Sequence, residues 1–238
     1  TATKTNVGFD LGLFDALNVT VDYFTEVRKD IFMQRKIFPE TSGFQNAPYA
    51  NYGKVFNRGI DASLTFNKAF SRDTYLSVMA NFTYAHNTIL EYDEAAGIVG
   101  TTRARTGHSI NQNFGLESLG LYTENDFLDP VAGTLKPGLP VPSWGKVRPG
   151  DIKYVDQTKD GRINDEDVTA IGGSSVPEIV YGFGFSFRHK GFDLSALFQG
   201  VALTDFVVGG DYDDARNQYY IPGAGSGAVA NILANVDD

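Results

Sequence analysis

The clearest pattern in the chain is an alternation of apolar with polar or small residues between positions 179 and 200. From Tyr181 to Phe187 every second residue is aromatic, and glycine or serine lies between. After His189-Lys190-Gly191 the alternation resumes from Phe192 to Phe198. Successive side chains of a β-strand point to opposite faces, so residues 179–200 are predicted to form a β-hairpin with one apolar face.

Two further segments repeat this pattern. Residues 6–25 alternate on both sides of Phe14-Asp15-Ala16, and residues 58–86 alternate on both sides of a turn between Lys68 and Asp73. All three segments therefore predict hairpins of one design, each with an apolar face and a polar or small-residue face.

The length of the alternating runs bears on the fold class. Each apolar face continues for about the 9 to 11 residues that cross a bilayer at a tilt, whereas strands of soluble sandwiches usually have about 5 or 6. The other face carries mainly Gly, Ser, Thr, Asn and Asp, which is typical of a wet barrel lumen. We therefore predict an all-β fold over residues 1–238, an antiparallel transmembrane β-barrel segment of about six to eight strands from a larger barrel.

Short turns alternate with long connections along the chain. The long ones are predicted at Val27–Gly53, Asn87–Gln112 and Thr123–Glu178. Bacterial barrels have short periplasmic turns and long extracellular loops, so the long connections are expected outside the cell. Zero or two strands then separate Tyr84 from Tyr181, and Asn113–Tyr122 is a candidate for the first of two.

Composition narrows the classes of partner. A formal charge of -9 with scattered basic residues argues against nucleic acid, which requires clustered Lys and Arg. The absence of cysteine excludes disulfides and thiolate metal sites. No apolar run of about 18 residues predicts a transmembrane helix.

The sharpest local motif is the acidic stretch from Asp156 to Asp167, which has the frame of a calcium loop. A hard cation needs oxygen ligands that converge from a tightly curved chain, and Gly161 permits that curve. Ile163 is expected to anchor the loop on apolar neighbours. The predicted metal ligands are Asp156, Thr158, Asp160, the carbonyl of Arg162, Asn164 and Asp167.

Two positions depart from the EF-hand pattern. Thr158 offers an uncharged oxygen where a carboxylate or amide is usual, and Asp167 is shorter than the closing Glu. We therefore expect a structural calcium or magnesium ion of modest affinity in an extracellular loop, with a metal-free Asp/Gly-rich turn as the alternative.

Several segments together carry a family resemblance. They are Pro149-Gly150-Asp151-Ile152-Lys153-Tyr154-Val155-Asp156, Asp160-Gly161-Arg162-Ile163, Asp167, Ile171-Gly172, Pro177-Glu178-Ile179, Tyr181-Gly182-Phe183-Gly184 and Gly191-Phe192-Asp193-Leu194. Upstream are Val21-Asp22-Tyr23-Phe24, Arg28-Lys29-Asp30-Ile31, Asn51-Tyr52-Gly53-Lys54-Val55 and Asn57-Arg58-Gly59-Ile60. In order and spacing they resemble the C-terminal barrel half of SusC/RagA-type TonB-dependent transporters.

The resemblance implies import of glycans, oligosaccharides or peptides across the outer membrane of Bacteroidota-like bacteria. It implies a barrel in outer-membrane lipid, energy from the TonB complex through an N-terminal portion, and a SusD-like surface lipoprotein as partner. We expect this chain to be part of such a longer polypeptide, because no plug or TonB box is evident in it.

An enzyme is not predicted, since His86, His108 and His189 lie in no recognisable triad or zinc context. The remaining alternative is a soluble, calcium-stabilised β-sandwich that binds carbohydrate. Loop aromatics are candidates for stacking on a sugar, although aromatic belts and ordinary packing explain them equally well. These candidate substrate residues are Trp144, Tyr212, Tyr219 and Tyr220.

Overall fold

The computed structural model describes residues 1–37, 43 and 46–205. Within these residues the regular structure consists of fourteen β-strands and two single 3-10 turns, without an α-helix. No helix in this part of the chain is long and apolar enough to cross a membrane. The described chain is thus all-β, and it divides into two compact units.

The first unit comprises Thr1–Glu94, Arg105–Asn111 and Val176–Asp205. It contains one six-stranded sheet in the order β1-β2-β3-β4-β13-β14, in which every neighbouring pair is antiparallel. The strands are β1 (Ala2–Leu13), β2 (Leu17–Gln34), β3 (Tyr49–Ser71), β4 (Thr74–Glu91), β13 (Ile179–His189) and β14 (Phe192–Ala202).

Each predicted hairpin segment contains an antiparallel strand pair. The turns at Phe14 and Lys190 lie where they were predicted, whereas β3 continues to Ser71, so most of the turn predicted between Lys68 and Asp73 is strand. Phe14 and Asp15 take φ values of 57° and 51°, and Lys190 and Gly191 take 45° and 86°. Consecutive positive φ values match the twist of two-residue hairpin turns. Tight chain reversal at these points keeps the paired strands in register.

The first long connection is shorter than predicted. Strand β2 continues to Gln34 and β3 begins at Tyr49, so much of Val27–Gly53 is strand. The register shifts between Arg28 and Ile31, and Asp30 has a positive φ of 56°. A bulge of this kind interrupts the alternation of side chains between the two faces. The alternation in the sequence therefore ends before the strand does.

The predicted crossing at Asn113–Tyr122 is wrong. Strand β4 pairs directly with β13, from Thr74 opposite His189 to Tyr84 opposite Ile179. No strand of the described chain lies between them in the sheet, so the number of intervening crossings is zero.

The second unit, within the described residues, comprises Ala95–Ala104 and Gln112–Ser175. Its strands are short and pair in twos: β5 with β12, β6 with β10, β7 with β8, and β9 with β11. They are β5 (Gln112–Gly115), β6 (Ser118–Leu121), β7 (Phe127–Asp129), β8 (Thr134–Leu135), β9 (Val141–Pro142), β10 (Ile152–Tyr154), β11 (Arg162–Ile163) and β12 (Thr169–Ser174).

Two small apolar clusters lie inside the second unit. In one, Leu116, Ile152, Tyr154 and Ile163 are buried, with Trp144 and Val168 against them. In the other, Tyr122, Phe127 and Val147 are buried, with Leu135 alongside. This explains why 113–122 is not a barrel strand: Leu116 and Tyr122 are core residues of the second unit. Ile163 is fully buried, which confirms its predicted anchoring role.

A buried carboxylate ties the ends of strands β2 and β4 together. Asp93 is 2% exposed and accepts two hydrogen bonds from the Arg35 guanidinium, at 2.9 and 3.1 Å. The backbone N–H groups of Lys36 and Ile37 donate to it at 2.5 and 3.1 Å. The bonds from Arg35 lower the pKa of Asp93 to about 2 against its burial, with the two backbone bonds contributing as well.

Substitution Asp93→Asn is expected to lower the free energy of unfolding by about 3 kcal/mol at neutral pH, because it leaves the Arg35 charge partly buried and unpaired. A depressed pKa stabilises the fold above the unfolded-state pKa of about 4, and this contribution disappears as the pH falls through about 2. Urea unfolding at pH 7 and pH 3 should show the difference between variant and wild type shrinking in acid. Asp73→Asn, in an exposed turn, is the control, and a difference that is independent of pH contradicts the assignment.

Gly59 lies where two strands and a ring approach closely. A Cβ there would come 2.2 Å from the carbonyl oxygen of Tyr84 and 2.4 Å from Cζ of Phe24. By contrast, a Cβ at Gly97 meets nothing within 4 Å. Gly59→Ala is therefore expected to cost about 1 to 3 kcal/mol of stability by overpacking, measured by urea unfolding. Gly97→Ala is the matched control, and equal effects at both positions contradict the close approach.

Candidate functional site

One face of the six-stranded sheet is apolar along its whole width. Register aligns the alternating residues of the strands into four successive rows, which together define the apolar face and contain no charged side chain. The rows are Val7, Tyr23, Ile60, Tyr84, Ile179 and Ala202; Phe9, Val21, Ala62, Phe82, Tyr181 and Gly200; Leu11, Val19, Leu64, Ala80, Phe183 and Phe198; and Leu13, Leu17, Phe66, Val78, Phe185 and Ala196.

Many large side chains of the apolar face are exposed. Val7, Phe9 and Phe198 are 67%, 57% and 52% exposed, and Phe183 is 47% exposed. Soluble monomers seldom expose a contiguous apolar patch of more than a few hundred Å², and larger patches mark contact with a membrane or a protein. The sheet therefore presents an apolar surface whose exposure to water is unfavourable.

The opposite face, here called the polar face, carries charge at the same level. Asp22 and Asp61 lie directly opposite each other on β2 and β3, and neither has an ion-pair partner among the described residues. The Asp22 carboxylate occupies the space beside Gly8, where a Cβ would come 2.0 Å from its Oδ1. Opposed carboxylates repel, so this face requires water or cations. The two faces of one sheet thus need different surroundings.

Cations bracket the apolar face on strand β3. Arg58 lies one row beyond Ile60, opposite Thr25 and His86, and Lys68 lies one row beyond Phe66, opposite Leu76. Sequence patterns assigned no role to this pair. The signal was present, since positions 58, 60, 62, 64, 66 and 68 share one face and only the two ends are charged.

In the second unit, the first half of the acidic loop folds around Asp156. Its Oδ2 accepts from the backbone N–H of Gly161 at 2.8 Å, and its Oδ1 from that of Asp160 at 3.3 Å. Burial raises the pKa of Asp156, but backbone hydrogen bonds from Gly161, Lys159 and Asp160 outweigh it, so the net shift is downward. Gly161 has a φ of 81°, which supplies the predicted sharp turn.

The second half of the loop closes on Asp167, which is fully buried. Its Oδ1 lies 3.1 Å from both the backbone N and Oγ1 of Thr158, and its Oδ2 accepts from the backbone N–H of Asn164 at 2.9 Å. The Thr158 hydroxyl also lies 3.3 Å from Oδ1 of Asp156. Three of the predicted ligand oxygens are therefore neighbours, although hydrogen bonds of the loop itself already engage both carboxylates.

The other two predicted side-chain ligands, Asp160 and Asn164, also accept hydrogen bonds from the backbone of the loop. Asp160 accepts from the backbone N–H of Arg162 at 2.8 Å, and the Asn164 side chain accepts from that of Glu166 at 2.5 Å. Within the described residues no group of three or more His, Cys, Asp or Glu side chains is placed to hold a metal. The loop keeps its shape through protein hydrogen bonds, and the metal ion stays a prediction.

Of the predicted substrate residues, only Trp144 can be placed. It packs edge-on against Tyr154, with ring centroids 5.8 Å apart and planes at 80°, beside the first apolar cluster of the second unit. Packing on a core is thus one role of this ring. Tyr212, Tyr219 and Tyr220 lie outside the described residues.

Comparison with known proteins gives two curated relatives from Formosa agariphila, whereas no family model matches. TonB-dependent receptor P39 is 29% identical over 245 residues, covering 91% of this chain and 23% of the relative. TonB-dependent receptor P26 is 25% identical over 216 residues, covering 84% and 20%. The chain spans less than a quarter of the length of these relatives, and both of them are named as receptors.

Solved structures with a similar fold include the RagAB peptide importer in its closed-closed state, with a TM-score of 0.59, 24% identity and coverage of 85% of this chain and 21% of that chain. The open-open state gives a TM-score of 0.61 at 21% identity, covering 85% and 20%. A further structure, of the RagAB peptide transporter, gives 0.57 at 22%, covering 83% and 20%. These identities are low, so the structures establish similarity of fold.

The sequence relatives and the similar folds agree with each other and with the six-stranded antiparallel sheet. The chain is thus similar in sequence to part of two TonB-dependent receptors and similar in fold to part of the RagAB structures.

Proposed function

We propose that this chain forms part of the barrel wall of an outer-membrane transporter that imports nutrients with energy from TonB. The supporting observation is the apolar face, whose four rows cross six strands without a charge. A lipid-facing wall requires such a surface, because charges on the lipid side of a barrel are costly.

The two faces of the sheet support this orientation. With the apolar face in lipid, Asp22 and Asp61 lie on the lumen side, where water or a cationic group can solvate them. The tight turns at Phe14, Asp73 and Lys190 share one end of the sheet. In the proposed arrangement this end is periplasmic and the long connections, including the acidic loop, are extracellular.

The proposed transporter also has a proposed cargo and a proposed surface partner. The RagAB structures are those of a peptide importer or transporter, which favours peptides as cargo. Glycans and oligosaccharides remain within the predicted range, and a SusD-like lipoprotein is the proposed surface partner. The soluble carbohydrate-binding sandwich is less well supported, since both curated relatives are TonB-dependent receptors.

Ala80 and Asn81 are adjacent residues on opposite faces of β4 and give a direct test. Ala80→Arg puts a charge in the third row of the apolar face and is expected to cost about 2 to 4 kcal/mol in lipid vesicles. Asn81→Arg, on the polar face, is the matched control with a much smaller expected cost. The measurement is equilibrium unfolding of the full-length protein in vesicles.

The same preparations test membrane residence itself. The wild-type protein is expected to float with vesicles and to need detergent for extraction. If the protein stays monomeric in the aqueous phase without detergent, the transporter proposal is wrong and the soluble carbohydrate-binding sandwich is favoured.

A structural calcium ion in the acidic loop is a separate proposal, with expected affinity in the weak range of extracellular sites, about 0.1 to 1 mM. Calorimetric titration of calcium into the full-length protein should lose the binding heat after Asp160→Ala. Asp165→Asn changes a carboxylate of the same loop outside the predicted ligand set and should leave the titration intact. A titration that Asp160→Ala does not alter means that this loop is not the site.

A further inference from the structure

We propose that Arg58 and Lys68 bind the phosphate groups of lipid headgroups, one at each surface of the bilayer, and thereby fix the depth of the sheet in the membrane. This inference rests on the proposed membrane function and adds to it two specific lipid contacts.

The first argument is the position of the two cations on one strand and one face. Between them on the apolar face of β3 lie only the uncharged residues Ile60, Ala62, Leu64 and Phe66. Register places uncharged residues beside each of these four positions on the neighbouring strands. Arg58 and Lys68 are therefore the first charged residues of β3 on this face, one at each end of the uncharged rows.

The second argument is the distance between them. Ten positions at about 3.3 Å per residue give about 33 Å along the strand. At the tilt of about 40° that is usual in outer-membrane barrels, this corresponds to about 25 Å along the membrane normal, the height of the apolar band of such barrels. The two cations therefore reach both edges of the hydrocarbon at once.

The surroundings of Arg58 favour an external anion. Arg58 is exposed, and its side chain has no hydrogen bond or ion pair with another described residue. The carboxylate of Glu178 is bound by His86, the residue opposite Arg58 on β4, with Oε1 of Glu178 2.6 Å from Nδ1 of His86. Tyr23 and Tyr84 lie one row inward, at the level where amphipathic rings favour the interface. The guanidinium is thus free to receive a phosphate bidentately.

The surroundings of Lys68 are apolar. Leu76 is its partner on β4, and Phe187 follows in the same row on β13. The ammonium lies 5.9 Å from the centre of the Phe70 ring. A flexible stem that covers apolar surface while its charge reaches outward is the usual behaviour of lysine at a membrane boundary.

A protein partner on this face is disfavoured by the same observations. A docked protein has no reason to require charges separated by the bilayer height, or an uncharged band across all six strands. Lipid satisfies both requirements. The occupant with complementary charge at each end is a phosphate-bearing headgroup.

The full-length protein, made free of cysteine and then given Ala80→Cys, tests the inference. This chain contains no cysteine of its own. A nitroxide at position 80 reports depth through its relative accessibility to oxygen and to a water-soluble nickel chelate, in vesicles of phosphatidylglycerol or of phosphate-free digalactosyldiacylglycerol. Native mass spectrometry measures the retention of phosphatidylglycerol by the same protein.

Arg58→Gln and Lys68→Gln are each expected to weaken phosphatidylglycerol retention about fivefold, because each cation near an anionic surface contributes about 1 kcal/mol. The double variant should also shift the depth of the label. Arg58→Lys and Lys68→Arg keep the charge and should restore both readouts. Lys136→Gln and Arg148→Gln, in the second unit, are controls that should change neither.

Unchanged retention and depth in the double variant, with the label still buried, overturn the anchors while leaving the membrane proposal intact. A wild-type label that the nickel chelate reaches freely overturns both. The wild type alone gives a second test that does not depend on folding of the variants. Its label should sit at a different depth in phosphate-free vesicles, and identical depths in the two lipids count against headgroup binding.

Discussion

Strand register is the constraint on which the rest of this structure depends. Side chains alternate between faces, so a slip of one residue at β2 against β3 would move Val21 to the polar face and Asp22 to the apolar one. Such a slip would place carboxylates among the exposed aromatic rings and leucines. The tight turns at Phe14 and Lys190 fix the register of β1 with β2 and of β13 with β14, whereas β2 and β3, joined by a longer connection, are kept in register by their apolar and polar faces. Each row of the apolar face is therefore specified both by turn geometry and by the cost of misplaced charge.

The second unit is held together in a different way. Its strands contain two to six residues, too few to define faces, and its two clusters contain only a few buried side chains. Carboxylates provide much of the remaining order, as Asp167 does by accepting hydrogen bonds from the backbone N–H groups of Thr158 and Asn164 in the acidic loop. Asp126 does the same with Thr123 and Lys153. The backbone bond from Thr123, together with the bonds from the Lys153 and Thr123 side chains, lowers the Asp126 pKa.

Sequence alone predicted the parts of this structure that repeat over many residues. The three hairpins and their turns follow from period-two alternation, because that period is a direct consequence of strand geometry. The loop around Gly161 and the burial of Ile163 follow from local spacing. By contrast, the pairing of β4 with β13 and the salt bridge of Arg35 with Asp93 join residues far apart in sequence, which no local pattern encodes. The bulge near Asp30 interrupts the period-two pattern, so the continuation of β2 was not predicted. The short strand β6 lies within the segment that was wrongly predicted as a membrane crossing.

The direct pairing of β4 with β13 has a consequence for how such a protein can change. The segment from Tyr92 to Glu178 joins these two strands in sequence but contributes no strand to the six-stranded sheet of the described chain. Apart from contacts such as that of Asp93 with Arg35, we therefore expect this segment to tolerate changes of length and sequence without a change in strand pairing. In the proposed transporter, selection on the long segment and selection on the lipid-facing sheet then act on separate stretches of the same chain, and descendants can diversify in the first while conserving the second.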